Sequence, residues 1–315
     1  MKACLDCLPC LARNATELAR RSARGDAALE GRIAAEGMRI LGHAAEEGYT
    51  LPPPCYARQL IDNALAMCGG AVPDPWAAEK KKSTELALRL MEAFSHKAVQ
   101  GGPQFTAVGT DAMNCVPPEM PDFEKRLRLA IAGNILDFSV YADLNIAAAM
   151  ETMATAFTKP VDAASVAELK RRMDAAKSIL WIFDNCGEAV FDRLLMEPYR
   201  DKITLAVRGK PAFNDVTRAD LEPSGLLPPD FAKCGGRIVS NDDGVPGVVD
   251  ATCGDQFRAA FAAADLIVAK GQANFETMSE RTDKPIAFLF LAKCPVVCRS
   301  VGAEPKTIQV LLRNF

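Results

Sequence analysis

The sequence contains only two histidines, His43 and His96, among 315 residues. Neither has a second histidine or a cysteine at metal-ligand spacing, so we expect both to lie on the surface or in satisfied core positions. This scarcity argues against a serine–histidine hydrolase and against a zinc hydrolase built on histidine ligands.

Three common nucleotide-binding and hydrolase motifs are also missing from the sequence. No G-x-G-x-x-G follows a predicted strand, which argues against a dinucleotide-binding site. G-x-x-x-x-G-K-[ST] and G-x-S-x-G do not occur, which argues against a P-loop nucleotidase and a serine nucleophile elbow.

The chain lacks an excess of one charge and any long apolar run. Its formal net charge is -3, so no global basic field would attract nucleic acid or an anionic membrane. No apolar run approaches the roughly 18 residues that span a bilayer. The N-terminal segment MKACLDCLPCLARN does not follow the pattern of a secretory signal. We therefore expect a cytoplasmic protein without nucleic-acid or membrane partners.

The chain divides into two parts with different patterning. Residues 1–177 are predicted to form a helical N-terminal domain, including a helix over 123–140. Residues 178–315 alternate short apolar strands with helices, which indicates an α/β domain with a mostly parallel sheet and helices on both faces. The predicted strands are 178–184, 202–207, 236–241, 266–270, 286–292 and 307–312.

Acidic and amide side chains follow two of these strands. Asp184 and Asn185 end the first strand, and Asp215 follows the second. Ligands of open parallel sheets bind at the carboxyl ends of the strands, and oxygen ligands of this kind suit magnesium or manganese. The sequence therefore predicts a metal site here. Helix capping is the alternative for each of these side chains.

Other strand-end residues predict phosphate binding. Gly187 and Glu188 begin a predicted helix, whose N-terminal amides would favour a bound phosphate. Lys270 ends an apolar strand, where its charge is costly unless it faces an anion or water. Gly271 would let a phosphate approach the backbone. A divalent ion with a lysine suits phosphoryl transfer, so the sequence favours a metal-dependent phosphatase.

The sequence contains eleven cysteines, three of which form a C-x-x-C-x-x-C pattern. Cys4, Cys7 and Cys10 are predicted to lie on the first helix, where residues three apart share a face. They are a candidate second metal or redox site, and packing of buried thiols is the alternative.

Several segments resemble the damage-control phosphatase family, formerly called domain of unknown function 89. The resemblance covers nearly the whole chain and is strongest to the prokaryotic branch with an N-terminal C-x-x-C. The resembling segments are Cys7-Leu-Pro-Cys10, Asp74-Pro75 followed by Glu79-Lys80 and Ser83, LAIAGNILDF at 129–138, DNCGEAVFDRLL at 184–195, FNDVT at 213–217, DLIVAKGQANFETMSE at 265–280 and LAKCPVV at 291–297.

The resemblance implies a Rossmann-like core with a helical N-terminal region. It also implies hydrolysis of small phosphorylated metabolites, such as sugar phosphates, in metabolite damage control. The implied cofactor is a divalent metal on Asp184, Asn185 and Asp215. Oxygen ligands suit manganese or magnesium, whereas the thiol of Cys186 beside the metal would favour cobalt or nickel. From its place at a strand end, Lys270 is expected to be a further catalytic residue. The expected substrate-binding residues are Asn134, Asp137, Gly187, Glu188, Asn214, Gly271 and Gln272.

Two other functions stay open at this stage. An S-adenosylmethionine-dependent methyltransferase could use a similar sheet, although a glycine-rich loop after the first strand is not evident. A non-catalytic metal-binding or redox module could centre on the cysteines. Within the phosphatase hypothesis, the attacking group could be an activated water or an aspartate, Asp184 or Asp215.

Overall fold

The computed structural model describes residues 1–69, 74–99, 120–134, 146–221 and 225–315. Its sheet has six strands in the order β3-β2-β1-β4-β5-β6. Strands β1 to β5 pair in parallel and β6 pairs antiparallel with β5. The strands are β1 (Ile179–Ile182), β2 (Ile203–Val207), β3 (Arg237–Ser240), β4 (Leu266–Lys270), β5 (Ile286–Ala292) and β6 (Thr307–Arg313).

The strand order reverses its direction between β1 and β4. Strands β2 and β3 lie on one side of β1, and β4 lies on the other. Such a switch point leaves a crevice outside the carboxyl ends of the two central strands, where α/β proteins bind ligands. The predicted α/β fold with a mostly parallel sheet is confirmed, and each strand begins and ends within two residues of its prediction.

Helices from both halves of the chain cover the sheet. The helices that precede it are α1 (Leu8–Ala23), α2 (Ala27–Glu46), α3 (Pro53–Met67), α4 (Ala77–Val99), α5 (Asp122–Ala132), α6 (Ile146–Thr158) and α7 (Ala163–Ala175). Those that follow β1 are α8 (Cys186–Met196), α9 (Arg218–Leu221), α10 (Asp255–Ala263), α11 (Gln272–Met278) and α12 (Pro295–Val301). Among the described helices, none is long and apolar enough to cross a membrane.

The two faces of β1 contribute to two different apolar clusters, because successive side chains of a strand point to opposite faces. Trp181 packs in the cluster that includes residues of α4 to α8. Leu180 and Ile182 pack in the cluster that includes residues of α10 to α12. Helices α1 to α3 form a third cluster of their own. Helices α4 to α7 therefore share a core with the sheet, although they precede residue 177.

Helix α5 is shorter than the helix predicted over 123–140. It ends at Ala132, and Gly133 and Asn134 form a turn. A Cβ on Gly133 would lie 2.9 Å from the Cα of Glu188 in α8, so glycine permits the close approach of these two helices. Residues 135–140 of the predicted helix lie outside the described residues.

Candidate active site

The segments that follow β1 and β2 are joined at the carboxyl edge of the sheet. The amide of Val216 donates to the carbonyl of Asp184 at 2.8 Å. Asn185 and Asp215 form an isolated antiparallel bridge. The backbone therefore brings together the three residues that were predicted as metal ligands.

The side chains of these residues face one another rather than capping helices. Asn185 occupies the N-cap position of α8. Its side-chain amide donates to Oδ2 of Asp184 at 2.7 Å. Oδ2 of Asp215 accepts from Nε of Arg208 at 2.7 Å. Asp184 and Asp215 thus belong to one polar cluster at the carboxyl edge of the sheet.

Burial shifts both carboxylates toward their protonated forms. Asp184 is 7% exposed and Asp215 is 3% exposed. Burial raises the pKa of Asp184 well above its ordinary value, and the nearby carboxylates of Asp215 and Glu188 raise it further. Burial also raises the pKa of Asp215, although the guanidinium of Arg208 opposes this. The site therefore disfavours the ionised forms of both carboxylates, and a bound cation would stabilise those forms.

The donor set fits a hard divalent cation. No three His, Cys, Asp or Glu side chains of the described residues converge in a metal-binding group, so a cation between Asp184 and Asp215 would also need the amide oxygen of Asn185. Cys186 is fully buried, and burial raises the pKa of its thiol well above the ordinary value.

Two glycines shape the crevice around Asp184. Gly271 has a φ of +79°, and a Cβ there would lie 2.0 Å from Oδ2 of Asp184. Glycine is therefore required because the carboxylate occupies this space, a reason that the sequence did not reveal. Gly187 is buried in the first turn of α8, beside Glu188. The amides of Gly187 and Glu188 lie in this first turn, where N–H groups have no partner within the helix and an anion is favoured.

Lys270 is buried beside the site, and its ammonium contacts oxygens of other residues of the chain. Its Nζ is 2.5 Å from Oε1 of Glu188, 2.8 Å from Oδ1 of Asp192 and 2.9 Å from the carbonyl oxygen of Ala130. Burial alone would lower the lysine pKa, but Asp192 and Glu188 outweigh burial and raise it. The ammonium donates hydrogen bonds to Glu188 and to the carbonyl of Ala130, and it forms an ion pair with Asp192. The charge of Lys270 therefore faces anions, as the sequence predicts, and in this structure the anions are two carboxylates of α8.

Asn134 connects the metal-ligand candidates to a second lysine. Its Nδ2 lies 3.2 Å from Oδ2 of Asp184 and 2.9 Å from Oε2 of Glu188. Its Oδ1 accepts from the ammonium of Lys293, which is exposed. The lysine charge also lowers the pKa of Asp184. Lys293 is thus the cation at the open side of the crevice.

Two predicted substrate-binding residues accept hydrogen bonds from backbone amides at this edge of the sheet. Oε1 of Gln272 accepts from the amides of Lys293 and Cys294, each at 3.2 Å. The carbonyl of Asn214 accepts from the amide of Cys186 at 2.9 Å. Gln272 therefore holds the segment that carries Lys293, and Asn214 holds the start of α8.

Sequence reasoning missed two charged residues of this edge. Arg208 directly follows β2 and Lys293 directly follows β5, so the rule used for Asp184 could have identified both. Arg208 also donates to the carbonyl of Gly247 at 2.7 Å and to Oδ1 of Asn274 at 3.2 Å. Asp137, a predicted substrate-binding residue, lies outside the described residues.

The three N-terminal cysteines do not form one cluster. The Sγ atoms of Cys4 and Cys7 are 3.9 Å apart. Cys10 is exposed, and its sulfur accepts from Arg13 instead. The described residues thus contain a pair of thiols here, and the predicted second site reduces to Cys4 and Cys7.

Known proteins resemble the chain over most of its length. A family model described as the damage-control phosphatase ARMT1-like domain matches residues 3–308. A damage-control phosphatase of Pyrococcus horikoshii is 31% identical over 319 residues, covering 100% of this chain and 99% of that protein. A damage-control phosphatase of Archaeoglobus fulgidus is 29% identical over 236 residues, covering 74% of each chain.

A solved structure agrees with these sequence matches. The crystal structure of a protein of the domain-of-unknown-function-89 family from Pyrococcus horikoshii superposes with a TM-score of 0.80. The two chains are 28% identical, and the match covers 100% of each. The resemblance noted from sequence segments is therefore confirmed: the chain belongs to the damage-control phosphatase ARMT1-like family.

Proposed function

We propose that this protein is a metal-dependent phosphatase that hydrolyses small phosphorylated metabolites, such as sugar phosphates, in metabolite damage control. The observation that carries the proposal is the adjacency of Asp184 and Asp215, two buried carboxylates with raised pKa values at a topological switch point. The relatives named as phosphatases favour this reaction over methyl transfer.

The proposed metal site consists of Asp184, Asn185 and Asp215. When bound, a divalent cation such as manganese, magnesium, cobalt or nickel would polarise the phosphoryl group and lower the pKa of a nearby water. Arg208 holds the carboxylate of Asp215 in place through its Nε. Gly271 leaves the room that the carboxylate of Asp184 needs.

The chain itself supplies the contacts for the phosphoryl group. The first amides of α8, at Gly187 and Glu188, provide donors at the site, and the helix dipole favours a negative charge there. Lys293 adds a positive charge at the open side, where Asn134 orients its ammonium. Lys270 acts indirectly, because it fixes the carboxylate of Glu188. These contacts would bind the phosphoryl group, whereas the rest of the metabolite would be bound by other residues.

The test is phosphate release by metal-stripped protein from a panel of sugar phosphates and related esters, with each metal added back. We expect metal-dependent turnover that falls by about 100-fold or more in Asp184→Asn. Asp255→Asn is the matched control, because the side chain of Asp255 is 100% exposed. Equal turnover in the wild type and Asp184→Asn at saturating metal would refute the proposed site.

A further inference from the structure

The N-terminal thiol pair lies in a short turn that leads directly into a helix. Residues Leu5–Cys7 form a 3-10 helix that continues into α1, and Cys4 precedes it as its N-cap. The amide of Cys7 donates to the carbonyl of Cys4 at 2.9 Å, which holds the two residues one turn apart. Their sulfurs, 3.9 Å apart, need about 2 Å of movement to reach bonding distance.

The two thiols differ in accessibility. Cys7 is 6% exposed, and burial raises the pKa of its thiol to about 12. Cys4 is half-buried, and Leu5 beside it is 69% exposed, so the turn lies at the surface. A half-buried first thiol in a surface turn and a buried second thiol suit stepwise thiol–disulfide exchange, in which the more accessible thiol reacts first.

The turn contacts the element that begins beside the active site. Asp6, between the two cysteines, pairs with Arg299 of α12. Val296 of α12 packs against the apolar cluster that contains Cys7. Since α12 begins two residues after Lys293, movement of this turn acts on the segment that carries the lysine.

We propose that Cys4 and Cys7 form a reversible thiol switch whose oxidation displaces α12 and the adjoining Lys293. The oxidant is a small-molecule disulfide. Sulfur of the Cys4 thiolate attacks one sulfur of that disulfide and releases one small thiol. Sulfur of Cys7, after losing its proton to solvent, then attacks the sulfur of Cys4 and releases the second small thiol. The two cysteines are oxidised, the small disulfide is reduced to two thiols, and the two cysteine protons are balanced by those the products take up.

Closure of the disulfide pulls Cys4 toward Cys7 and shifts the turn that holds Asp6. The Asp6–Arg299 pair, and the apolar cluster that contains Cys7 and contacts Val296, transmit this shift to α12. Any effect on hydrolysis rests on the proposed function, because it requires Lys293 to contact the phosphate. The covalent change and the movement of α12 do not depend on it.

The experiment exposes full-length protein, with a metal chelator present, to oxidised glutathione as the probe. Free thiols are then alkylated, and the peptide of residues 3–13 is fragmented to locate a missing pair of hydrogens. Hydrogen exchange of residues 293–301 is measured before oxidation, after it and after reduction with dithiothreitol. Cys4→Ser is the inactive variant and Cys10→Ser is the matched control.

We expect a Cys4–Cys7 disulfide in the wild type and in Cys10→Ser, together with a reversible change of roughly twofold or more in exchange rates over 293–301. Cys4→Ser should show neither change. A disulfide between Cys7 and Cys10, or none, would overturn the proposal, as would a Cys4–Cys7 disulfide that leaves exchange unchanged. Failure of the reduced protein to release phosphate would count only against the proposed function, because neither measurement uses turnover.

Discussion

The carboxylate of Asp184 occupies the space that a side chain on Gly271 would need. An ideal Cβ on residue 271 would stand 2.0 Å from Oδ2 and 2.1 Å from Cγ of Asp184. These two residues follow the carboxyl ends of the central strands β1 and β4, which are neighbours in the sheet. The switch point of the sheet is therefore the place where a buried acid meets a glycine.

Gly271→Ala should abolish phosphate release, because the added methyl group displaces Asp184. It should also cost about 1–2 kcal/mol of unfolding free energy, because alanine is strained at positive φ. Gly302→Ala is the matched control: Gly302 has a φ of +66°, and no described atom lies within 4 Å of its Cβ position. Kinetics and denaturant unfolding of both variants separate the effect of backbone strain, which both share, from the displacement of Asp184, which occurs only in Gly271→Ala. Equal activity in the two variants would contradict this account.

Asp184→Asn should stabilise the metal-free protein while it removes activity. The pKa of Asp184 is raised in the folded state, so its contribution to stability is lost as pH rises. The amide of the substituted side chain does not ionise, so stability is not lost as pH rises. Its oxygen can still accept hydrogen bonds from Asn134 and Asn185. Calorimetry at pH 8 should show a higher melting temperature for the variant without metal. Added manganese should raise the melting temperature of the wild type only.

Loss of the charge should lower protein stability at Lys270 but should affect mainly substrate binding at Lys293. Lys270→Met leaves Glu188 and Asp192 buried without a counter-charge, so we expect about 3–5 kcal/mol of destabilisation. Lys293→Met removes an exposed ammonium and should change stability by less than about 0.5 kcal/mol. Its expected effect is a higher KM for the phosphoester. Urea unfolding and steady-state kinetics on both variants test this contrast, and a stable Lys270→Met protein would contradict it.

Glu276 should make stability fall between mildly acidic and neutral pH. Burial raises its pKa from 4.5 to about 7, although a hydrogen bond from Gln272 opposes the shift. The folded state therefore binds a proton that the unfolded state has released, and this stability is present below pH 4.5 and lost as pH rises through 7.

Glu276→Gln should remove that dependence. The difference in unfolding free energy between variant and wild type should grow from pH 4.5 to pH 8, to roughly 3 kcal/mol at most. Other titrating groups cancel in this difference because they are common to both proteins. Parallel stability curves for the two proteins across this range would show that Glu276 stays ionised when folded.

The amino-acid sequence alone determined the strands and predicted where the candidate site lies. β4 and β5 match their predictions residue for residue, because a strand buried on both faces requires an uninterrupted apolar run. Asp184, Asn185 and Asp215 were identified because parallel strands place their carboxyl ends at one edge. Both predictions depend on local patterns, because each is read from consecutive residues of the chain.

Only the tertiary structure decided how the charged side chains are paired. Lys270 faces Glu188 and Asp192 on a helix from another part of the chain. Cys7 lies beside Cys4 rather than Cys10 because the turn before α1 places Cys4 within reach while Cys10 remains exposed. Periodicity specifies elements, whereas the partner of a buried charge depends on which elements pack together. That packing encloses Lys270 and leaves Lys293 exposed at the crevice.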